Sequence, residues 1–279
     1  MSAETLFWIV HLPLMVLFLA EMGCVAGLWL RGRVEGAPED TRGQKIHTVS
    51  ARAARLVLSR RLPTLLRAFV TEAWFNRRLW RNDRQRWLAH FLLLTGFMLL
   101  MTLSGIAALS EKVLYHLFHL GHIPWIAMWY MPDHPVTAIL NEVGGTLMSI
   151  GFLFFVVRRY FLRPAQLRTG PMDTWMVAGL GLILLSGWIT EIVRLNSSHI
   201  GPAPHLAFIG YPLSRLVTGL PLDWDRWFDV LYVGHGLLTS LVIVTIPFSK
   251  FMHAIAGGLV AVVDEVETPC LLYTSPSPR

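Results

Sequence analysis

Five apolar runs constrain what this chain can fold into before any motif is considered. They are Leu6–Leu30, Trp87–Leu109, Val143–Val157, Trp175–Val193 and Phe228–Phe248. The third is short as written, but Ile139–Leu140 and Tyr160–Leu162 extend it across Asn141–Glu142 and Arg158–Arg159. A helix crosses the hydrocarbon core, roughly 30 Å thick, with about 20 mainly apolar residues. The composition agrees: 54% of the 279 residues are hydrophobic and 15% charged, with a mean hydropathy of +0.50. That balance does not suit a soluble domain of this length. The first run is too long for a removed signal peptide and lacks a small-residue cleavage site, so it reads as a span. The expected architecture is an all-α integral membrane protein, a five-helix transmembrane bundle over residues 1–263.

In such a chain the net charge of +6 speaks to sidedness, not to nucleic acid. Arginines crowd the 31–86 connection (Arg52, Arg55, Arg60, Arg61, Arg77, Arg78, Arg81, Arg84 and Arg86 among them). Arg158, Arg159, Arg163 and Arg168 follow the third run, and Lys250 follows the fifth. The connections 110–141 and 194–229 hold few basic residues. Basic loops stay inside, so the N-terminus is expected outside and the C-terminus in the cytoplasm. Within 48–86, Leu56, Leu58, Leu62, Leu65, Leu66, Phe69, Val70 and Trp74 recur at helical spacing between arginines. This is the pattern of an interfacial amphipathic helix, broken near Pro63. It reads as a lipid-headgroup anchor, a docking platform, or both.

Two cysteines, Cys24 and Cys270, form no CxxC series, and no phosphate-binding glycine loop occurs. Iron–sulfur, zinc-ribbon and nucleotide sites are therefore not expected in this chain. Residues 264–279 read as a tail. Its last ten, CLLYTSPSPR, look like a translated sequencing adapter, and the natural chain is expected to continue beyond Thr268.

The histidines carry the chemistry. His235 and His253 flank the apolar stretch Gly236–Phe248, eighteen residues apart. On one continuous helix that is about 27 Å and five turns, which puts both rings on one side, one near each membrane face. A histidine in a span is costly unless it finds a partner, so two suggest two buried cofactors. His90 lies four residues past Arg86 and His253 three past Lys250, a shared depth on different helices. Bis-imidazole haem ligation needs one axial ligand from each side of the ring. Gly96, Gly105, Gly234 and Gly236 offer a macrocycle room, or serve ordinary helix packing. His11, before Pro13, is either interfacial or a ligand, and Glu21 either hydrogen-bonds a neighbouring helix or takes part in chemistry. The 110–141 connection carries His116, His119, His122 and His134 with Trp125, Trp129 and Tyr130, suiting a helix in the outer interface. Glu191 and Arg194, three apart, read as an ion pair or as a proton acceptor with its counter-ion.

Five spans, a histidine early in the second, two eighteen apart around the fifth and a basic patch after it resemble the cytochrome b (gamma) subunit of respiratory nitrate reductase. Relatives in heterodisulfide-reductase-type and sulfite-reduction-associated membrane complexes are more similar still. The similarity is sharpest in RLWRNDRQRWLAHFLLLTGF (Arg78–Phe97) and PFSKFMH (Pro247–His253). The resemblance implies two b-type haems, exchange with menaquinone or menaquinol, and a prokaryotic cytoplasmic membrane. It also implies a cytoplasmic iron–sulfur partner subunit of the heterodisulfide-reductase or nitrate-reductase type, without which the chain is inactive. His90 and His253 would ligate the haem nearer the cytoplasm, and His235 one side of the outer haem. The nitrate-reductase pattern has a further histidine ten residues on in the second span, where this chain has Leu100. The outer haem then either takes its second ligand from His11, Met101 or an outer-loop histidine, or is absent and the chain is a monohaem cytochrome. Quinol oxidation releases protons, and Glu191 is the candidate acceptor. The rival from another class is a haem-free scaffold or transporter that uses Glu21 and the histidines as a proton path.

Overall fold

A computed structural model describes residues 2–31, 41–131, 134–164 and 169–271, the last five by backbone alone, and its regular elements are all helical. In order they are α1 (Ala3–Trp29), α2 (Arg42–Val57), α3 (Leu62–Ala68), α4 (Arg77–Asn82), α5 (Arg84–Ala108) and α6 (Pro124–Tyr130). Then follow α7 (Pro135–Val156), α8 (Pro171–Arg194), α9 (Gly210–Val217), α10 (Trp224–Thr245) and α11 (Met252–Leu271). Five helices are long and apolar enough to cross a membrane: α1, α5, α7, α8 and α10, three of them lengthened by adjoining helical turns. Each coincides with one of the five apolar runs. Arg168, residues 32–40 of the arginine-rich connection and residues 272–279 of the tail lie outside the described residues.

Local chemistry sets the ends of these helices. Thr41 caps α2 through a reciprocal pair with Gln44, its backbone N–H donating to Gln44 Oε1 at 2.9 Å. The amphipathic stretch breaks between α2 and α3, and Pro63 occupies the first turn of α3, where a missing N–H costs nothing. Asp173 accepts from Gly170 N–H at 2.9 Å and begins α8 behind Pro171. In the 110–141 connection, α5 runs on as a π-helical stretch, Leu109–Leu117. His119 then turns left-handed at φ 56°, so the segment read as a single helix is two separate helical pieces.

The break after α10 overturns one expectation. The helix ends at Thr245, a 3-10 turn spans Ile246–Phe248, and Ser249 is extended at φ −111°, ψ 172°. Pro247 lacks the donor that would continue the ladder, and Ser249 Oγ accepts from Phe251 N–H at 3.2 Å, starting the chain afresh. His253 therefore lies in the first turn of α11. It does not share a continuous helix, or a helical face, with His235.

The chain divides into two compact bodies, Met1–His11 with Gln85–Ser240, and Leu12–Arg84 with Leu241–Arg279. In the first, α5 and α7 meet backbone to backbone. A Cβ on Gly96 would lie 2.4 Å from Met148 N, and one on Gly151 2.4 Å from Leu93 N. Trp188 Nε1 of α8 donates to Ser149 Oγ of α7 at 2.9 Å. Arg159 and Asp173 form a buried ion pair at 2.6 Å. A Cβ on Gly236 would fall 2.2 Å from the Phe7 ring, whereas Gly105 and Gly234 face open space. Gly96 and Gly236 thus serve helix packing, the plainer of their two readings.

In the second body, α11 packs on α3 and the π-helical turn Phe69–Trp74. Ala68, Val262 and Val266 form its buried core, with Leu56, Leu65 and Ala73 against them. Arg78 lies 3.8 Å from buried Glu72 and 3.5 Å from Asp264. Helix α11 runs across the 263/264 boundary drawn from sequence, and Val266 belongs to its packed face.

Candidate functional site

In the first body two half-buried histidines are each held by a serine from another helix. His11 Nδ1 of α1 lies 2.7 Å from Ser240 Oγ of α10. His235 Nδ1 of α10 lies 2.9 Å from Ser186 Oγ of α8. Ser240 follows His235 by five residues, about 7.5 Å along the helix, so α1 and α8 both deliver a polar contact to one stretch of α10. The His235 ring packs close on Gly187, where a Cβ would sit 3.3 Å from His235 Cε1. His11 also stacks on Phe7, with centroids 4.9 Å apart, and meets Trp8 edge-on.

Other histidines are held locally. His116 Nδ1 donates to Glu111 O at 2.7 Å, and His122 Nδ1 to His119 O at 3.2 Å. His134 Nδ1 instead accepts from Val136 N–H at 3.4 Å, capping α7. In the neutral ring its proton then sits on Nε2, the wrong tautomer for a ligand through that atom. His253, exposed, donates from Nδ1 to the Lys250 carbonyl of its own turn. His90 is half-buried on α5, between Ala89, whose carbonyl faces Gly151, and Phe91, whose ring stacks on Trp87 at 5.0 Å. His90 belongs to the first body and His253 to the second. Met101 is half-buried in α5.

A neutral imidazole whose Nδ1 donates a hydrogen bond carries its lone pair at Nε2, the donor a haem iron takes. His253 fits that description, and His11 and His235 fit it where Ser240 and Ser186 accept from them. Among the described residues no cluster of three or more His, Cys, Asp or Glu side chains could hold a bare metal ion. Axial haem ligation needs two histidines, one per face, and no such cluster.

The acidic residues are differently placed. Glu191 accepts from Arg194 Nε at 3.1 Å and Nη2 at 2.8 Å, the two-pronged ion pair that the spacing allowed. Beside it lies Glu142 of α7, which is only 1% exposed. Its two oxygens accept from the backbone N–H groups of Ile209 and Gly210, each at 3.1 Å. A Cβ on Gly210 would lie 2.9 Å from Glu142 Oε1 and 3.0 Å from Glu191 Cγ, so both carboxyl side chains flank that glycine. In the sequence Glu142 reads only as an interruption of the third span. A carboxylate inside an otherwise apolar run was the available signal. Glu21 Oε2 is buried, with no hydrogen-bond partner among the described residues, so the helix-to-helix bond proposed for it is not formed through that oxygen.

Comparison with known proteins adds a direction. The chain is 24% identical over 207 residues to a subunit of the dihydromethanophenazine:CoB–CoM heterodisulfide reductase of Methanosarcina mazei, covering 72% of this chain and 68% of that subunit. It is 25% identical over 210 residues to the same subunit of the Methanosarcina thermophila enzyme, covering 72% and 67%. It is also 25% identical over 196 residues to an EtfAB:quinone oxidoreductase of Syntrophomonas wolfei, covering 65% of this chain and only 25% of that protein. No family model matches the chain, and no solved structure matches it significantly. The chain is a multi-pass membrane protein, and these relatives support a membrane electron-transfer subunit of an oxidoreductase.

Proposed function

We propose that this chain is the haem b membrane subunit of a respiratory oxidoreductase. It passes electrons between the menaquinone/menaquinol pool of a prokaryotic cytoplasmic membrane and a cytoplasmic iron–sulfur partner. The observation that carries the reading is the conjunction of spanning helices, span histidines whose Nδ1 is held by a serine of another helix, and relatives whose names join a redox enzyme to a dihydrophenazine or a quinone. Two histidines per haem make an iron site with no open coordination position, suited to electron transfer and not to oxygen chemistry. His90 and His253 would hold one haem, and His235 with His11 the other. The haem supplies one-electron redox chemistry; the protein supplies ligands, burial and separation.

What the chain's own residues do around a quinol follows from their charges. Oxidation of a quinol releases protons, which a carboxylate near the outer face can accept. Glu191 and Glu142 share the neighbourhood of one arginine, so two carboxyl groups face a single counter-ion. Glu191 remains the proposed acceptor, with Arg194 orienting it. With the N-terminus outside, the arginine-rich connection faces the cytoplasm, where its cations meet anionic headgroups or the partner subunit.

The test is the reduced-minus-oxidised absorption spectrum of the purified protein. A b-type α band with two haems per chain is expected. A protein that binds no haem when supplied with it defeats the reading and leaves the haem-free scaffold or transporter.

A further inference from the structure

Ser240 and Ser186 each face a choice that their geometry resolves. A hydroxyl has one proton to give. Ser240 Oγ lies 2.7 Å from Gly236 O, one turn back on its own helix, and 2.7 Å from His11 Nδ1. A carbonyl only accepts, and two oxygens that close need a proton between them, so Ser240 donates to Gly236. It then meets His11 as an acceptor, and the imidazole proton must sit on Nδ1. Ser240 is 1% exposed, so no bulk water competes for either contact. Ser186 repeats the arrangement, 3.1 Å from Ile183 O and 2.9 Å from His235 Nδ1. His116, His122 and His253 use a carbonyl of their own chain neighbourhood, which any surface histidine can do. His11 and His235 instead hold the second nitrogen against a side chain from a different helix.

We infer that Ser240 and Ser186 are positioning residues: each fixes its histidine in the tautomer that ligates through Nε2 and sets the basicity of that nitrogen. The inference rests on the haem reading above and adds the residues that tune the outer haem's potential. A hydrogen bond accepted from Nδ1–H makes the ring a stronger donor and favours the ferric state. Losing the acceptor therefore raises the midpoint potential.

The experiment is a redox titration of the intact membrane protein, with low-temperature EPR of the oxidised haems, for Ser240→Ala and Ser186→Ala. The same haem is expected to rise in potential in both variants and to change its low-spin g-values, while the other haem stays as in the parent. Ser186→Thr retains an acceptor and is expected to keep the parent's potential. If Ser240→Ala, fully buried, fails to accumulate in membranes, Ser186→Ala alone decides. Parent-like potentials and g-values in the alanine variants overturn the inference and leave haem binding standing. A parent protein without a b-type band overturns the haem reading first, which is a visibly different failure.

Discussion

His235 and His253 are eighteen residues apart in sequence, yet their surroundings are opposite. His235 is half-buried in the first body, over Gly187, and bonded to a serine of another helix. His253 is exposed in the second body and bonded to the carbonyl of its own turn. The contrast extends to charge. The first body buries one ion pair, Arg159–Asp173, with side chains 9% and 6% exposed. The second leaves Arg78–Asp264 in solvent, at 59% and 51%. It extends to packing as well, with backbone-close glycine contacts at Gly96 and Gly151 in the first and a small aliphatic core in the second. His11 and His235 of the first body are held by long-range contacts to other helices. His253 of the second body is held only by its own turn.

Substitutions can break this comparison. The largest stability effect is expected from Arg159→Ala, which strands a buried Asp173 and costs about 3–5 kcal/mol. Thermal unfolding in detergent should show a clear fall in midpoint, and an unchanged midpoint would remove the claim that the first body depends on buried charge. Gly96→Ala comes next, because a Cβ there meets backbone and cannot be accommodated by a rotamer change. The overpacking is expected to cost about 1–3 kcal/mol. Gly105→Ala on the same helix meets nothing, and is expected to be neutral or stabilising by up to about 1 kcal/mol. Equal behaviour of the two glycines would contradict the helix contact. Asp264→Ala should be smallest, under about 1 kcal/mol, because its ion pair is solvated. A loss as large as that from Arg159→Ala would mean the exposed pair is buried in the working protein by a partner.

The spans were legible because their signal is local: about twenty apolar residues in a row declare a membrane helix whatever they pack against. The break near Pro63 was legible for the same reason. Pro247 was equally visible, but counting eighteen residues between His235 and His253 treated the interval as one helix, and the proline with its extended Ser249 neighbour ends it. The serine contacts could not be read at all. His11 and Ser240 are 229 residues apart, and nothing in either neighbourhood names the other. Glu142 was hidden similarly, since its partners are the backbone amides of Ile209 and Gly210, which have no side-chain signature. Glu191 with Arg194 is the opposite case, an i,i+3 pair legible from spacing and present as expected.

The proposed function turns on His90 and His253 holding one haem between them while His235 serves another. The haem-to-protein ratio of His90→Ala, His253→Ala, their double variant and His235→Ala tests this without intermediate steps. Each of the first two is expected to lose one haem of two, the double variant no more than either alone, and His235→Ala added to either is expected to remove the second. Full haem content in both single variants, or loss of both haems in the His90/His253 double, would contradict it.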